Sequence, residues 1–244
     1  MTRAELKQQA KDTLRGRWGT AIGMILIYEL IIGAIGMAAN MLPFIGSLAT
    51  IVVSIPLSFG FIGQMLKFSR NDNAGFFDFF TIGFSNFGKS WSIVGNTILK
   101  LLGLLIAYIV CIFVTVGLLV AAFINASTSL LVISALVMVI AFIVIYVMLI
   151  IKSYLYVLTE YIGNDNNNMS GKEIVERSSD LMKGHRWELF VLELSFIGWA
   201  LLAVLTFGIG FLWLEPYMQI TTIKFYENLA GINTVNELEV IKEQ

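Results

Sequence analysis

Charge is what this sequence has little of. Asp, Glu, Lys and Arg supply 14% of its 244 residues, where a soluble globular domain is nearer ~25%. Cysteine and histidine are scarcer still, with one of each, Cys111 and His185. A single cysteine excludes an intrachain disulfide framework and a cysteine-rich metal site, and Cys111, inside an apolar run, reads as a small buried hydrophobe. A single histidine cannot furnish a histidine-based metal cluster. The formal net charge of -1 leaves no basic patch of the kind that nucleic acid requires. Enzyme signatures are missing as well: there is no Walker loop, dinucleotide fingerprint, HExxH, nucleophile elbow or clustered carboxylate set. Gly208-Ile209-Gly210 lacks the spacing and strand context of a phosphate loop. The expectation is a protein that is not an enzyme and uses no metal or cofactor; an intramembrane enzyme using Glu29 or Glu193 with His185 is the weakest alternative.

What is present is apolar. Hydrophobic residues make up 57% of the chain and its mean hydropathy is +0.81. A soluble protein of this length has too little interior to hide them, whereas lipid accepts them as surface. The N-terminus does not read as a cleavable signal, because seventeen polar-rich residues precede the first apolar run and no small-residue cleavage site follows a short apolar core.

Residues 2–17 read as an amphipathic helix, with Leu6, Ala10, Leu14 and Trp18 on one side at intervals of four. Two readings of it stand: a helix lying among headgroups, or one packed under the bundle. Apolar spans follow over 19–39, 44–66 with Pro56 inside, about 91–122, 130–151 continuing as helix through Tyr161, and about 187–207. A sixth opens at Glu215-Pro216 and reaches Phe225 or Tyr226 before a polar tail. Turns are expected at 40–46 with Pro43, at 125–129, and at Gly208/Gly210. Residues 76–90, rich in phenylalanine but broken by polar residues, suit the membrane interface. Ser170 with Glu173 reads as a capping box for a second amphipathic helix over 171–185, carrying Ile174, Val175, Leu181 and Met182.

None of the sixteen Lys and Arg residues lies in the turns at 40–46, 123–129 or 206–211. By the positive-inside rule both termini and both long loops are cytoplasmic. The predicted fold class is all-α: a polytopic membrane bundle of six transmembrane helices in three hairpins, with cytoplasmic amphipathic helices, forming one membrane domain over 1–244. Gly16-Arg17-Trp18, Gly88-Lys89-Ser90-Trp91 and Gly184-His185-Arg186-Trp187 each stand at the mouth of a span. Either they mark a threefold repeat, with units 1–70, 71–162 and 163–230, or membrane chains simply resemble one another in composition.

The polar residues within the spans are the candidates for function. Glu29 lies near the middle of the first span, where an acid is costly and calls for a partner or a role. Glu193, Lys100 and Glu215 complete a candidate intramembrane polar site, either a route for an ion or substrate or a set of interhelical bonds that pin the bundle. Arg17, Trp18, His185, Arg186 and Trp187 are candidate interfacial lipid contacts, though simple anchoring also explains them.

The run Ser178-Ser179-Asp180-Leu181-Met182-Lys183-Gly184-His185-Arg186-Trp187-Glu188-Leu189-Phe190 resembles the DUF975 family of bacterial integral membrane proteins. So do Leu194-Ser195-Phe196-Ile197-Gly198-Trp199, Pro216-Tyr217 with Phe225-Tyr226, and the opening Ala10 to Trp18. The resemblance extends over nearly the whole chain and implies a plasma-membrane location in Gram-positive bacteria. It implies no catalytic residues, as the family has no established biochemical role. The chain also looks distantly similar to membrane domains attached to some glycerophosphodiesterases, without their phosphodiesterase residues. Transport or a channel-like role leads among functions, because mid-membrane acids require explanation. The alternatives are a non-catalytic scaffold and an envelope-homeostasis protein, with membrane lipids, a membrane protein or a second copy as partners.

Overall fold

A computed structural model describes residues 1–41, 45–125 and 128–232. Eleven α-helices and one 3₁₀ turn form the described chain: α1 (Arg3–Leu14), α2 (Trp18–Ala39), α3 (Ile45–Ser69), α4 (Asp78–Ser85), α5 (Phe87–Ile124), α6 (Thr128–Ser153), the 3₁₀ turn Tyr154–Tyr156, α7 (Thr159–Asp165), α8 (Gly171–Met182), α9 (Arg186–Leu194), α10 (Ile197–Leu205) and α11 (Phe211–Ala230). The protein is an all-α, polytopic helical bundle. Among the described residues, five stretches are long and apolar enough to cross a membrane: Trp18–Ala39, Ile45–Ser69, Phe87–Ile124, Leu131–Asp165 and Arg186–Leu205. The expected turn at Pro43, part of the break at 125–129 and the tail beyond 232 lie outside the described residues.

Burial changes abruptly along the long helices. In α3 the buried residues, Gly46 apart, run from Pro56 to Ser69, while Ile45, Leu48, Ile51 and Val52 are exposed. In α2 the last buried residue is Ile25, and Leu30 and Met37 lie open. A single core cluster joins Leu14, Met24, Phe59, Met65, Ile93, Ile162, Ile174, Met182, Leu189 and Ile223. From Ile98 to Ile151, by contrast, α5 and α6 display a long series of exposed Ile, Leu, Val and Phe side chains. Water disfavours such a surface and lipid tolerates it. The molecule therefore has a packed part, shared by all the helical segments except most of α6, and apolar extensions that rise from it.

The amphipathic first helix belongs to the packed part. Leu6, Ala10 and Leu14 are fully buried, and α1 packs against α11. Of its two sequence readings, the helix under the bundle is the one observed. Helix α4 and the C-terminal half of α3 meet backbone to backbone. A Cβ on Gly60 would lie 1.9 Å from the Phe79 carbonyl oxygen, and one on Gly83 would lie 2.3 Å from that of Pro56. The Phe-rich segment thus lies on α3.

Three boundaries differ from expectation. Gly88 is the second residue of α5, which begins at Phe87 and runs for 38 residues, about 57 Å at the helical rise. The glycine joint expected before Trp91 is absent, because the chain breaks one helix earlier at Asn86. The fifth apolar run is divided into α9 and α10 at Ser195-Phe196, where the Ser195 hydroxyl turns back on the Leu192 carbonyl, a bond of the kind that bends helices. Helix α11 starts at Phe211, so Glu215 occupies its second turn and not its first. The chain turns sharply before it, with positive φ at Phe207 and Gly208, as the glycine pair predicted.

Candidate functional site

The two glycine joints that match in sequence also match in geometry. α1 and α8 each span 12 residues and each starts in a capping box, Thr2 with Glu5 and Ser170 with Glu173. Each ends in a residue with extended ψ, Arg15 (ψ 124°) and Lys183 (ψ 120°), followed by glycine at φ 75° (Gly16) and 88° (Gly184). Only glycine adopts that conformation without strain. The next residue returns a backbone bond to the buried last residue of the helix, Arg17 to Leu14 at 2.9 Å and His185 to Met182 at 3.1 Å.

Beyond that common backbone the joints diverge. The Arg17 guanidinium donates to Asn71 Oδ1 and to the Phe68 carbonyl and lies 4.1 Å from the Phe68 ring centre. It fastens the α1–α2 joint to the end of α3. Trp18 is half-buried against the core. At the other joint His185 Nδ1 contacts Glu188 Oε2 at 2.9 Å, and Trp187, 71% exposed, pairs with the Phe190 ring at 5.1 Å. Arg186 is half-buried. Of the five interfacial candidates, Trp187 presents the largest open apolar face.

The polar candidates do not converge. Lys100 pairs with Glu176 of α8 at 3.4 Å. Glu193 accepts from the Tyr154 hydroxyl. Glu29 is exposed, four residues beyond the last buried side chain of α2, and interacts electrostatically with Glu215 across the α2–α11 contact. Glu29 therefore stands at the edge of the packed part. Run length alone does not reveal that the first third of α2 is packed on protein.

The densest polar arrangement is one that sequence reasoning missed. Arg70 donates from Nη1 and Nη2 to the two carboxylate oxygens of Asp165 at 2.6 and 2.9 Å, and from Nε to Glu227 at 2.9 Å. Lys224 holds the other Glu227 oxygen at 2.8 Å, and the Tyr226 hydroxyl donates to Asp165 at 2.8 Å. Glu227 is 2% exposed and Arg70 30%. The Asp165 bonds hold the Arg70 guanidinium even more firmly protonated than usual, as expected for a bidentate arginine–carboxylate fork. The cluster ties together the ends of α3, α7 and α11. A second missed acid is Glu160, whose carboxylate accepts from Ser58 Oγ at 3.2 Å. It lines a cavity of about 170 Å³ with Ser90, Thr97 and Thr159. In sequence Arg70, Asp165 and Glu227 look like separate loop and tail charges, more than sixty residues apart; only the fold brings them into contact.

These are structural bonds and an exposed apolar surface, with no constellation that assigns a reaction. No curated protein and no solved structure matches the chain. One family model does match, over residues 1–233, and its description is a protein of unknown function, DUF975. An uncharacterised multi-spanning membrane protein, the chain belongs to the DUF975 family.

Proposed function

We propose that the protein is a non-catalytic scaffold of the bacterial plasma membrane, engaged in envelope homeostasis through lipid or a membrane partner. In this reading six spans form three hairpins, α2 with α3, α5 with α6, and α9–α10 with α11, and both termini and both long loops lie in the cytoplasm. The mutual packing of α2 on α3, α5 on α6 and α10 on α11 and the absence of Lys and Arg from the three outer turns support it. The matching joints of α1 and α8 support an internal repeat, with units 1–70, 71–162 and 163–230 and a middle unit that has lost its glycine joint. One observation carries the choice of scaffold: Lys100, Glu193 and Arg70 are each consumed by a partner on a neighbouring helix, which is what a pinned bundle needs and a transport route does not.

Transport is the second reading, favoured by the small cavity that Glu160 lines and the electrostatic interaction of the acids Glu29 and Glu215. Complementation separates the two. In a strain lacking the gene, with its envelope-stress tolerance as readout, Glu29→Gln is expected to restore tolerance as the wild type does. A Glu29→Gln protein inserted at wild-type level that fails to restore it contradicts the scaffold reading in favour of transport.

A further inference from the structure

One side of the packed part carries cations without acids. Arg3, Lys7 and Lys11 recur at every fourth position of α1 and so share a face. Lys7 Nζ donates to the Ser195 carbonyl at 3.3 Å and lies 4.1 Å from the Phe196 ring centre. Lys11 Nζ lies 5.7 Å from that of Tyr217. Neither lysine forms an ion pair among the described residues, whereas Asp12 pairs with Arg15 and Glu5 serves the α1 cap. Burial, then the positive charges of Lys11 and Arg3, push the Lys7 ammonium below its ordinary pKa.

Beside this cluster an apolar groove opens. Its cavity of about 430 Å³ is walled by Trp18, Trp199, Leu202, Trp213 and Leu214, with Lys11 and Tyr217 on its rim. Three of the five tryptophans in the chain line it. The volume falls in the ~300–1,000 Å³ range of small-molecule sites. The groove lies along α10 and the start of α11, where Trp199, Leu201, Leu205 and Trp213 are exposed. An apolar slot with Lys11 in its wall and Lys7 one helical turn away on α1 matches a molecule that is apolar along its length and anionic at its head.

We infer that this groove binds an anionic phospholipid, with an acyl chain against Trp18, Trp199 and Trp213 and the headgroup phosphate on Lys11 and Lys7. The inference rests on the membrane-embedded, lipid-engaging reading above and names its lipid class. Juxtamembrane lysines near an anionic surface contribute ~1 kcal/mol each, about fivefold in local enrichment. The site is separate from the Trp187 face, and neither Lys7 nor Lys11 belongs to the ion cluster at Arg70.

Tryptophan quenching tests it. A Trp91→Phe/Trp187→Phe protein, which retains only the groove tryptophans, is reconstituted in phosphatidylcholine vesicles. These carry a small fraction of brominated phosphatidylglycerol or the same fraction of brominated phosphatidylcholine. The anionic probe is expected to quench severalfold more strongly, Lys11→Gln to reduce that preference about fivefold, and Lys11→Arg to keep it. Added inorganic phosphate is expected not to displace the probe, because the chain supplies the apolar contacts. Equal quenching by the two probes, a Lys11→Gln protein as selective as its parent, or displacement by inorganic phosphate would overturn the inference. A failure of the embedded reading itself looks different, since neither probe would then quench at all.

Discussion

At the scale of single residues, the arginine at the end of α3 does what no one residue of the apolar spans does. Arg70 satisfies Asp165 and Glu227 together, and through them the second and third parts of the chain are held to the first. Removing one member of a buried ion pair is worse than removing both, because the remaining charge stays desolvated. Arg70→Ala is therefore expected to destabilise the protein by about 3 kcal/mol, read as a lower unfolding temperature in detergent. Arg70→Lys is expected to recover only part of it, since an ammonium cannot reproduce the bidentate fork. Glu29, singled out by its place in an apolar run, has no such set of bonds. The contrast shows what a sequence exposes at this scale: a charge in an apolar run is visible, and a charge made essential by two distant partners is not.

At the scale of elements, α1 and α8 were legible because their signals are local. Ser170 with Glu173 brackets the first turn of α8, and an apolar residue at every fourth position marks the buried face of α1; the matching Thr2–Glu5 cap emerged only in the structure. Less legible were α4, α9 and α10. The Phe-rich stretch reads from its composition as interfacial, and its composition does not show the close contact of Gly60 with the Phe79 carbonyl that sets α4 on α3. Likewise the division of α9 from α10 depends on a hydroxyl-to-carbonyl bond at Ser195 that carries no pattern. The α8 cap gives a test of pH as well as of sequence. Ser170→Ala is expected to cost ~1 kcal/mol, seen as faster amide exchange in the first turn of α8. The bonds from Ser170 hold the Glu173 carboxylate below its ordinary pKa. A depressed folded pKa means that the cap's contribution is present above the ordinary carboxylate range and is lost as pH falls through the lowered value. Exchange at the α8 N-terminus is accordingly expected to rise on acidification below that range, and to lose this dependence in Glu173→Gln.

At the scale of the whole molecule, the division into packed part and apolar extensions organises every other feature. The basic face of α1, the joints at Gly16 and Gly184 and the Arg70 cluster belong to the packed part, and the exposed runs of α5, α6 and α10 extend away from it. The all-α membrane class followed from composition and run length. The unequal packing of the runs did not, because a residue buried against protein and one buried in lipid are equally apolar. The proposed orientation, with both termini and both long loops in the cytoplasm, rests on lysine and arginine placement. Site-directed labelling tests that claim most directly. In a Cys111→Ser background, single cysteines at Asn125, Arg177 and Ile209 are treated with a membrane-impermeant maleimide on spheroplasts, before and after permeabilisation. Labelling of Asn125→Cys and Ile209→Cys on intact spheroplasts, with Arg177→Cys reached only after permeabilisation, is the predicted result. Labelling of Arg177→Cys on intact spheroplasts would contradict it.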